Sequence, residues 1–297
     1  FAERWARHWL DVARYGESTG PSRNIPYPHA WRYRDYVIDA IDRDIPYNRF
    51  IEEQIAGDLL PAADAAERDR LLAATGFLAI GPKDVNQRFK ERFVMDNVDE
   101  QIDTVTRSTL ALTVSCARCH DHKFDPVPIA DYYALAGIFT STELAAGLRN
   151  KMGGAGLDYY DHKALITLTS TVPPPPADKL AKLQAEVAIA KKEWDAIRGT
   201  PEGLALDANG RPKQRQYRLR YERLQFELLS LTDPATRGYA VHGVREGKEI
   251  GDTAIRIRGQ AERLGPVVPR GFLTAFTVPN APKINPAQSG RLELAQW

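Results

Sequence analysis

The chain has 297 residues, 43 % of them hydrophobic, which is enough for two domains or one large domain with a buried core. The formal net charge of +1 excludes binding driven by a strongly basic or acidic surface, such as non-specific attachment to nucleic acid or to an anionic membrane. No stretch reaches the roughly 18 consecutive apolar residues that a membrane-spanning helix needs.

Residues 1 to about 140 show the periodicity of helices. Trp5, Trp9 and Val12 recur at helical spacing, and a similar pattern continues through the first 80 residues. The longest predicted helix runs from about Glu91 to Val114, and a further helix covers Ile129 to Phe139. This part of the chain is therefore predicted to be a helical domain.

The second half changes character. Residues 141–162 are rich in glycine and predicted to be irregular, whereas residues 178–232 carry two apolar helical repeats separated by glycine and proline. This pattern predicts an antiparallel helical hairpin. Short strands are predicted at residues 164–170, 239–244, 253–258 and 272–278.

These elements predict a mainly α fold of the α+β class. We expect a helical domain over residues 1–145, followed by a small β-sheet or sandwich domain over residues 146–297 that carries the hairpin, about 178–232, as an insertion. The chain begins and ends inside helical patterns, with no signal peptide, so we expect a piece of a longer polypeptide.

Both cysteines of the chain lie in the segment Cys116-Ala117-Arg118-Cys119-His120. This CxxCH spacing is the attachment pattern of c-type haem. Two thiols three positions apart can each bond one vinyl group of a haem, and the histidine that follows can ligate the iron as the proximal ligand. The segment therefore predicts one covalent haem c held by Cys116, Cys119 and His120.

Other uses of the same residues remain open. Two cysteines at this spacing can form a redox dithiol or a simple disulfide, although a redox dithiol is typical of a βαβ context. Cys116 and Cys119 could also bind zinc with His120 and His122, although four ligands within seven residues would strain a tetrahedral site.

A low-spin haem needs a sixth ligand, usually methionine or histidine. Met152, His29 and His162 are the candidates for this distal position, because each lies in a predicted loop that could fold over the iron. His122 is too close in sequence to His120 to reach the opposite face, and we expect it to anchor the loop. We expect Asp121 and Asp125 to bond the same turn, with Asp125 capping the helix after Pro126.

Four carboxylates, Asp96, Asp99, Glu100 and Asp103, share one face of the predicted helix over 91–114. They could form a divalent-cation site or an acid–base pair. The alternative is a solvated face or a buried network with arginines, for which Arg32, Arg34, Arg88 and Arg92 are candidate partners. We expect this alternative.

Several blocks of the sequence closely resemble the cytochrome-like domain of large exported planctomycete proteins, the planctomycete cytochrome c domain family. The blocks are residues 5–15, 30–37, 56–61, 98–104, 116–126, 268–273 and 289–295. The resemblance implies an extracytoplasmic, haem-bearing module of a multidomain protein.

The sequence thus favours a c-type cytochrome module that transfers electrons to a partner protein or a neighbouring domain, rather than an enzyme on its own. One alternative is a peroxidase-like haem enzyme with an open iron position. Another is an extracellular module without haem, in which Cys116 and Cys119 form a disulfide and the dense N-terminal aromatic residues bind polysaccharide or protein. We expect a periplasmic or surface location because haem c is attached outside the cytoplasm.

Overall fold

The structure is a computed structural model that describes residues 1–20, 24–148, 161–169, 175–235 and 237–297. Its α-helices are α1 (Ala2–Val12), α2 (Ala30–Asp42), α3 (Tyr47–Ala56), α4 (Ala65–Ala74), α5 (Gly76–Ala79), α6 (Lys90–Leu110), α7 (Ile129–Thr140), α8 (Ala177–Ile197), α9 (Pro201–Leu204), α10 (Gln214–Thr232) and α11 (Arg291–Gln296). The strands are β1 (Thr142–Ala145), β2 (Ile166–Thr167), β3 (Ala240–Val241), β4 (Gly243–Glu246), β5 (Thr253–Arg256) and β6 (Leu264–Val268). Helices dominate, which confirms the predicted mainly α class.

The β structure is smaller than predicted. Strand β1 pairs with β4 in antiparallel register, Thr142 opposite Glu246, and β5 pairs with β6. The described residues contain only two-stranded sheets, so they form small sheets and no sandwich. Residues 272–278, predicted to be a strand, are irregular, and β1 lies in a region predicted to be irregular.

The chain divides into two compact units, one made of Phe1–Ser170 with Val241–Trp297 and the other of Thr171–Ala240. The first unit extends beyond the predicted boundary at residue 145. It does so because β1 pairs with β4, about 100 residues later in the chain, and α7 packs against β5. Its core includes Tyr33, Phe77, Ile102 and Tyr132, which are almost completely buried.

The second unit contains the predicted helical hairpin. The Arg220 guanidinium pairs with Glu193, and the Gly199 N–H donates to the Gln214 side chain at 2.9 Å. From the first pair to the second, the residue number rises from 193 to 199 on one side and falls from 220 to 214 on the other. Helices α8 and α10 are therefore antiparallel. Leu183, Ala190 and Leu224 are buried between them.

Among the described residues, no helix is both long enough and apolar enough to cross a membrane.

Candidate functional site

The CxxCH segment lies in the loop between α6 and α7, which we call the CxxCH loop (residues 111–128). Helix α6 ends at Leu110, four residues earlier than predicted, because Ala111 adopts a left-handed conformation with φ 56°. A short 3-10 helix, Val114–Arg118, then carries the first cysteine. Val114 and Ala117 are fully buried, whereas the thiols of Cys116 and Cys119 are exposed and not bridged. The loop is therefore anchored by its small apolar side chains and presents both thiols to solvent.

His120 is exposed, and its ring orientation is set by one contact. Its Nδ1 atom lies 2.7 Å from the carbonyl oxygen of Asp121. A carbonyl oxygen only accepts hydrogen bonds, so Nδ1 carries the hydrogen and donates it. In the neutral ring, the lone pair is then on Nε2, the atom that would ligate a metal. A donated Nδ1–H of this kind is the usual support of a metal-binding histidine.

His122 has the opposite role. Its side chain is buried, and its Nδ1 accepts the backbone N–H groups of Phe124 and Asp125 at 3.2 and 2.8 Å. The hydrogen is therefore on Nε2, which lies 3.2 Å from the hydroxyl of Thr113. These contacts join the two ends of the CxxCH loop and confirm the prediction that His122 anchors it.

The aspartates of the loop differ from the prediction. Asp121, not Asp125, caps α7: its carboxylate accepts the Ile129 N–H at 2.8 Å. The prediction of Asp125 was wrong because the chain turns back at residue 127, where Val127 accepts the His122 N–H at 2.9 Å. This turn brings the start of α7 next to Asp121.

Arg118, between the two cysteines, fastens the loop to α6. Its guanidinium lies 2.9 Å from Asp96 and 3.4 Å from Asp99. Tyr132 of α7 donates to Asp99 at 2.7 Å. Burial raises the pKa of Asp99, and the hydrogen bond from Tyr132 and the charge of Arg118 oppose that effect. Sequence analysis missed this role, since nothing in the local pattern of the CxxC segment indicates which way Arg118 points.

The other two carboxylates of the stripe have different partners. Asp103 pairs with Arg107 one helical turn away, and Glu100 forms a two-point ion pair with Arg14. The expected arginine network is therefore confirmed. Two of the expected partners have other carboxylates: Arg34 pairs with Glu17 and Asp35, and Arg92 pairs with Glu262. Within the described ranges, no three His, Cys, Asp or Glu side chains are grouped as a metal site would require.

Glu100 belongs to a group of buried and partly buried polar side chains that we call the polar cluster: Arg14, Lys83, Glu100 and His242. The Lys83 side chain is completely buried, and its Nζ lies 3.7 Å from Glu100, beyond hydrogen-bond distance. His242 donates from Nδ1 to the Ala146 carbonyl at 3.0 Å, and its Nε2 accepts the backbone N–H of His29. Burial lowers the pKa of His242 to about 3, so this ring is neutral at pH 7.

Two of the three candidate distal ligands, His29 and His162, lie in the part of the chain that the structure describes. His29 is 6 % exposed and packs in the core against His242, with ring centroids 5.8 Å apart. His162 begins a 3-10 turn, His162–Ala164, and Met152 lies outside the described residues. The sixth-ligand candidates therefore stay predictions.

A turn from the far end of the sequence contacts the CxxCH loop. Ile257 to Gln260 form a tight turn closed by the Gln260 N–H on the Ile257 carbonyl at 3.2 Å, with Arg258 and Gly259 both at positive φ. The Tyr133 hydroxyl lies 3.0 Å from the Arg118 carbonyl and 3.1 Å from the Arg256 carbonyl, so it bridges the loop and the turn. A cavity of about 450 Å³ lies beside them, lined by Arg92, Arg118, Gly259 and Glu262 among others.

The aromatic residues near the N-terminus mostly build the core. Trp9 donates to the Gln54 side chain at 2.8 Å and stacks on Phe77, and Tyr27, Tyr33 and Tyr36 are buried. Trp5 and Trp31 are the larger exposed rings of the set, at 54 % and 39 %. Polysaccharide binding by these rings stays a prediction.

The first half of the chain thus supplies most of the helices of the first unit and carries the exposed CxxCH loop. Residues 1–144 match the model of PSCyt2, a family described as protein of unknown function (DUF1549). The match covers a little under half of the chain, and over residues 1–144 it agrees with the resemblance at the level of a planctomycete cytochrome-associated family of unknown function. Comparison with curated proteins and with solved structures gave no match.

Proposed function

We propose that the chain is a c-type cytochrome module that holds one haem c and transfers electrons within a larger exported protein. Cys116 and Cys119 would bind the haem covalently, and His120 would ligate the iron through Nε2. The observation that carries the proposal is the contact of His120 Nδ1 with the Asp121 carbonyl. It leaves the metal-binding lone pair on an exposed ring that directly follows two exposed thiols.

The surroundings of the CxxCH loop support the same use. Arg118, His122 and Tyr133 hold the loop on both sides, so that the cysteines need no bond to each other to keep their positions. A loop whose backbone is held before the ligand arrives binds at a lower cost in conformational entropy. The described residues show no competing metal cluster that would use the two thiols.

A bound haem c would supply a one-electron carrier, and the residues of the chain would set its position. A single haem needs a partner, either a neighbouring domain or another protein, that gives and accepts the electron. Covalent attachment outside the cytoplasm implies a periplasmic or surface location. Electron transfer, rather than catalysis by this module alone, is the role we propose.

The test is expression of the chain with a haem c maturation system, followed by acid–acetone extraction and a pyridine haemochrome spectrum. We expect haem that resists extraction, with the α band of a haem held by two thioethers. Cys116→Ala and Cys119→Ala should each shift that band to the position of a single thioether. His120→Ala should lower the yield of haem protein strongly, whereas the matched variant at another exposed histidine, His8→Ala, should not.

Complete extraction of haem from the wild-type protein would overturn the proposal. In that case, titration of the thiols would show whether Cys116 and Cys119 form a disulfide, as expected of a binding module without haem.

A further inference from the structure

The tight turn Ile257–Gln260 lies directly over one of the two thiols. A Cβ atom built on Gly259 would lie 2.6 Å from Cys119 Sγ and 3.6 Å from the Cγ of Arg118. This distance is shorter than any stable non-bonded contact between a carbon and a sulfur atom. The absence of a side chain at Gly259 is therefore what leaves space around Cys119 Sγ.

Glycine serves two purposes at this position. Its φ of +69° is a left-handed conformation that costs other residues energy. The preceding residue, Arg258, accepts that cost with φ 56°, so the turn needs positive φ at both central positions, as a type I′ turn does. The conformation explains a glycine or asparagine at 259, whereas the nearness of Cys119 means that a Cβ atom at this position would force Sγ to move.

We propose that Gly259 is a positioning residue for Cys119: it keeps open the space in which Cys119 Sγ forms a bond to carbon. This inference rests on the proposed function, in which that bond is the second thioether. Gly259 lies outside residues 1–144, the part that matches the family. The candidate site is thus completed by a turn from the second half of the chain.

The bond in question needs no oxidant or reductant. The Cys119 thiol adds across a vinyl C=C bond: sulfur bonds to the inner carbon, and its hydrogen ends on the terminal carbon. The new carbon atom must find room next to Sγ. With a methyl group at residue 259, Sγ must rotate away from the turn, and the addition must proceed from a different side-chain rotamer.

The first arm of the test uses the reduced chain made without haem. Iodoacetamide forms an S–C bond of the same kind, and peptide mass spectrometry follows the alkylation of Cys116 and Cys119 separately. In Gly259→Ala we expect the rate at Cys119, relative to Cys116, to fall about fivefold. Gly210→Ala is the matched control, because Gly210 has a similar φ of +70° with no atom within 4 Å of its would-be Cβ, and it should leave the ratio unchanged.

The second arm uses the matured protein. We expect Gly259→Ala and Gly259→Asn to carry haem through Cys116 alone, with the haemochrome band of Cys119→Ala. Asparagine tolerates positive φ, so agreement of the two variants separates the effect of the Cβ atom from that of backbone strain. Gly210→Ala should retain both thioethers.

The two proposals fail in different ways. Two thioethers in both Gly259 variants, or an unchanged alkylation ratio in Gly259→Ala, would overturn the role of Gly259 while the cytochrome proposal stands. Wild-type protein without haem would overturn the cytochrome proposal, and the alkylation arm would still decide whether Gly259 controls Cys119.

Discussion

The CxxCH loop and the polar cluster both depend on carboxylates of α6, but burial gives those carboxylates different roles. At the CxxCH loop, Asp96 and Asp99 are 44 % and 27 % exposed and pair with Arg118, which lies between two exposed cysteines. In the polar cluster, Glu100 faces the interior, where it neutralises Arg14 and lies near a second, completely buried cation, Lys83. The comparison shows that one stripe of a helix can support a reactive surface loop and a charged interior together.

The largest effect should come from the charge of Glu100. Glu100→Gln leaves the completely buried Lys83 and the partly buried Arg14 without a counter-charge, and we expect the free energy of unfolding to fall by about 3–5 kcal/mol. Urea denaturation of the wild type and the variant measures this difference in the free energy of unfolding. The control is Asp103→Asn on the same helix, whose pair with Arg107 is exposed and should contribute at most about 0.5 kcal/mol. Equal losses in the two variants would show that burial does not determine how much these two carboxylates contribute to stability.

The second largest effect should be a loss of stability at acidic pH that depends on His242. Its pKa is lowered by burial from 6.5 to about 3, so between those values the unfolded chain binds a proton that the folded chain does not. Stability from this group is therefore complete above pH 6.5 and is lost as pH falls towards 3, by several kcal/mol. The measurement is the free energy of unfolding as a function of pH, in the wild type and in His242→Gln. A slope between pH 6.5 and 3 that is as steep in the variant would assign the acid sensitivity to other groups.

Within the CxxCH loop, two histidines should differ. His122→Ala removes the acceptor of two backbone N–H groups in a buried position, and we expect a loss of about 2 kcal/mol. His120→Ala removes an exposed ring that bonds only its neighbour's carbonyl, and should change the free energy of unfolding of the haem-free chain by less than about 0.5 kcal/mol. Thermal or urea unfolding of the two variants measures these losses. A loss for His120→Ala as large as that for His122→Ala would show that His120 is a structural residue.

The smallest effect should be an increase in stability when the Lys83 charge is removed. Burial lowers the pKa of Lys83, so the folded state disfavours its charge and stability from this group is lost as pH falls below 10.5. At pH 7, Lys83→Met should therefore raise the free energy of unfolding by about 1 kcal/mol, because Glu100 keeps its two contacts with Arg14. Arg14→Met is the comparison and should destabilise strongly. If both variants destabilise alike, the Lys83 charge stabilises the cluster.

Much of the helical structure could be predicted from local patterns. Helix α7 starts at the predicted Ile129, and the hairpin helices α8 and α10 fall within two residues of their predicted range, because their apolar residues repeat with the helical period. The prediction failed where the partner is distant. Strand β1 has no pattern of its own and exists because β4 pairs with it, about 100 residues later.

For the candidate site, sequence alone determined the chemistry: two thiols, three positions apart, with an imidazole directly after them. Spacing along a chain is a local property, so Cys116, Cys119 and His120 could be identified without a structure. Only the tertiary structure decided what surrounds them, because Asp96, Tyr133 and Gly259 reach the CxxCH loop from different elements. Tertiary structure also divided the carboxylates of α6 between surface and interior, since the helical period places residues on a face but does not say what packs against that face.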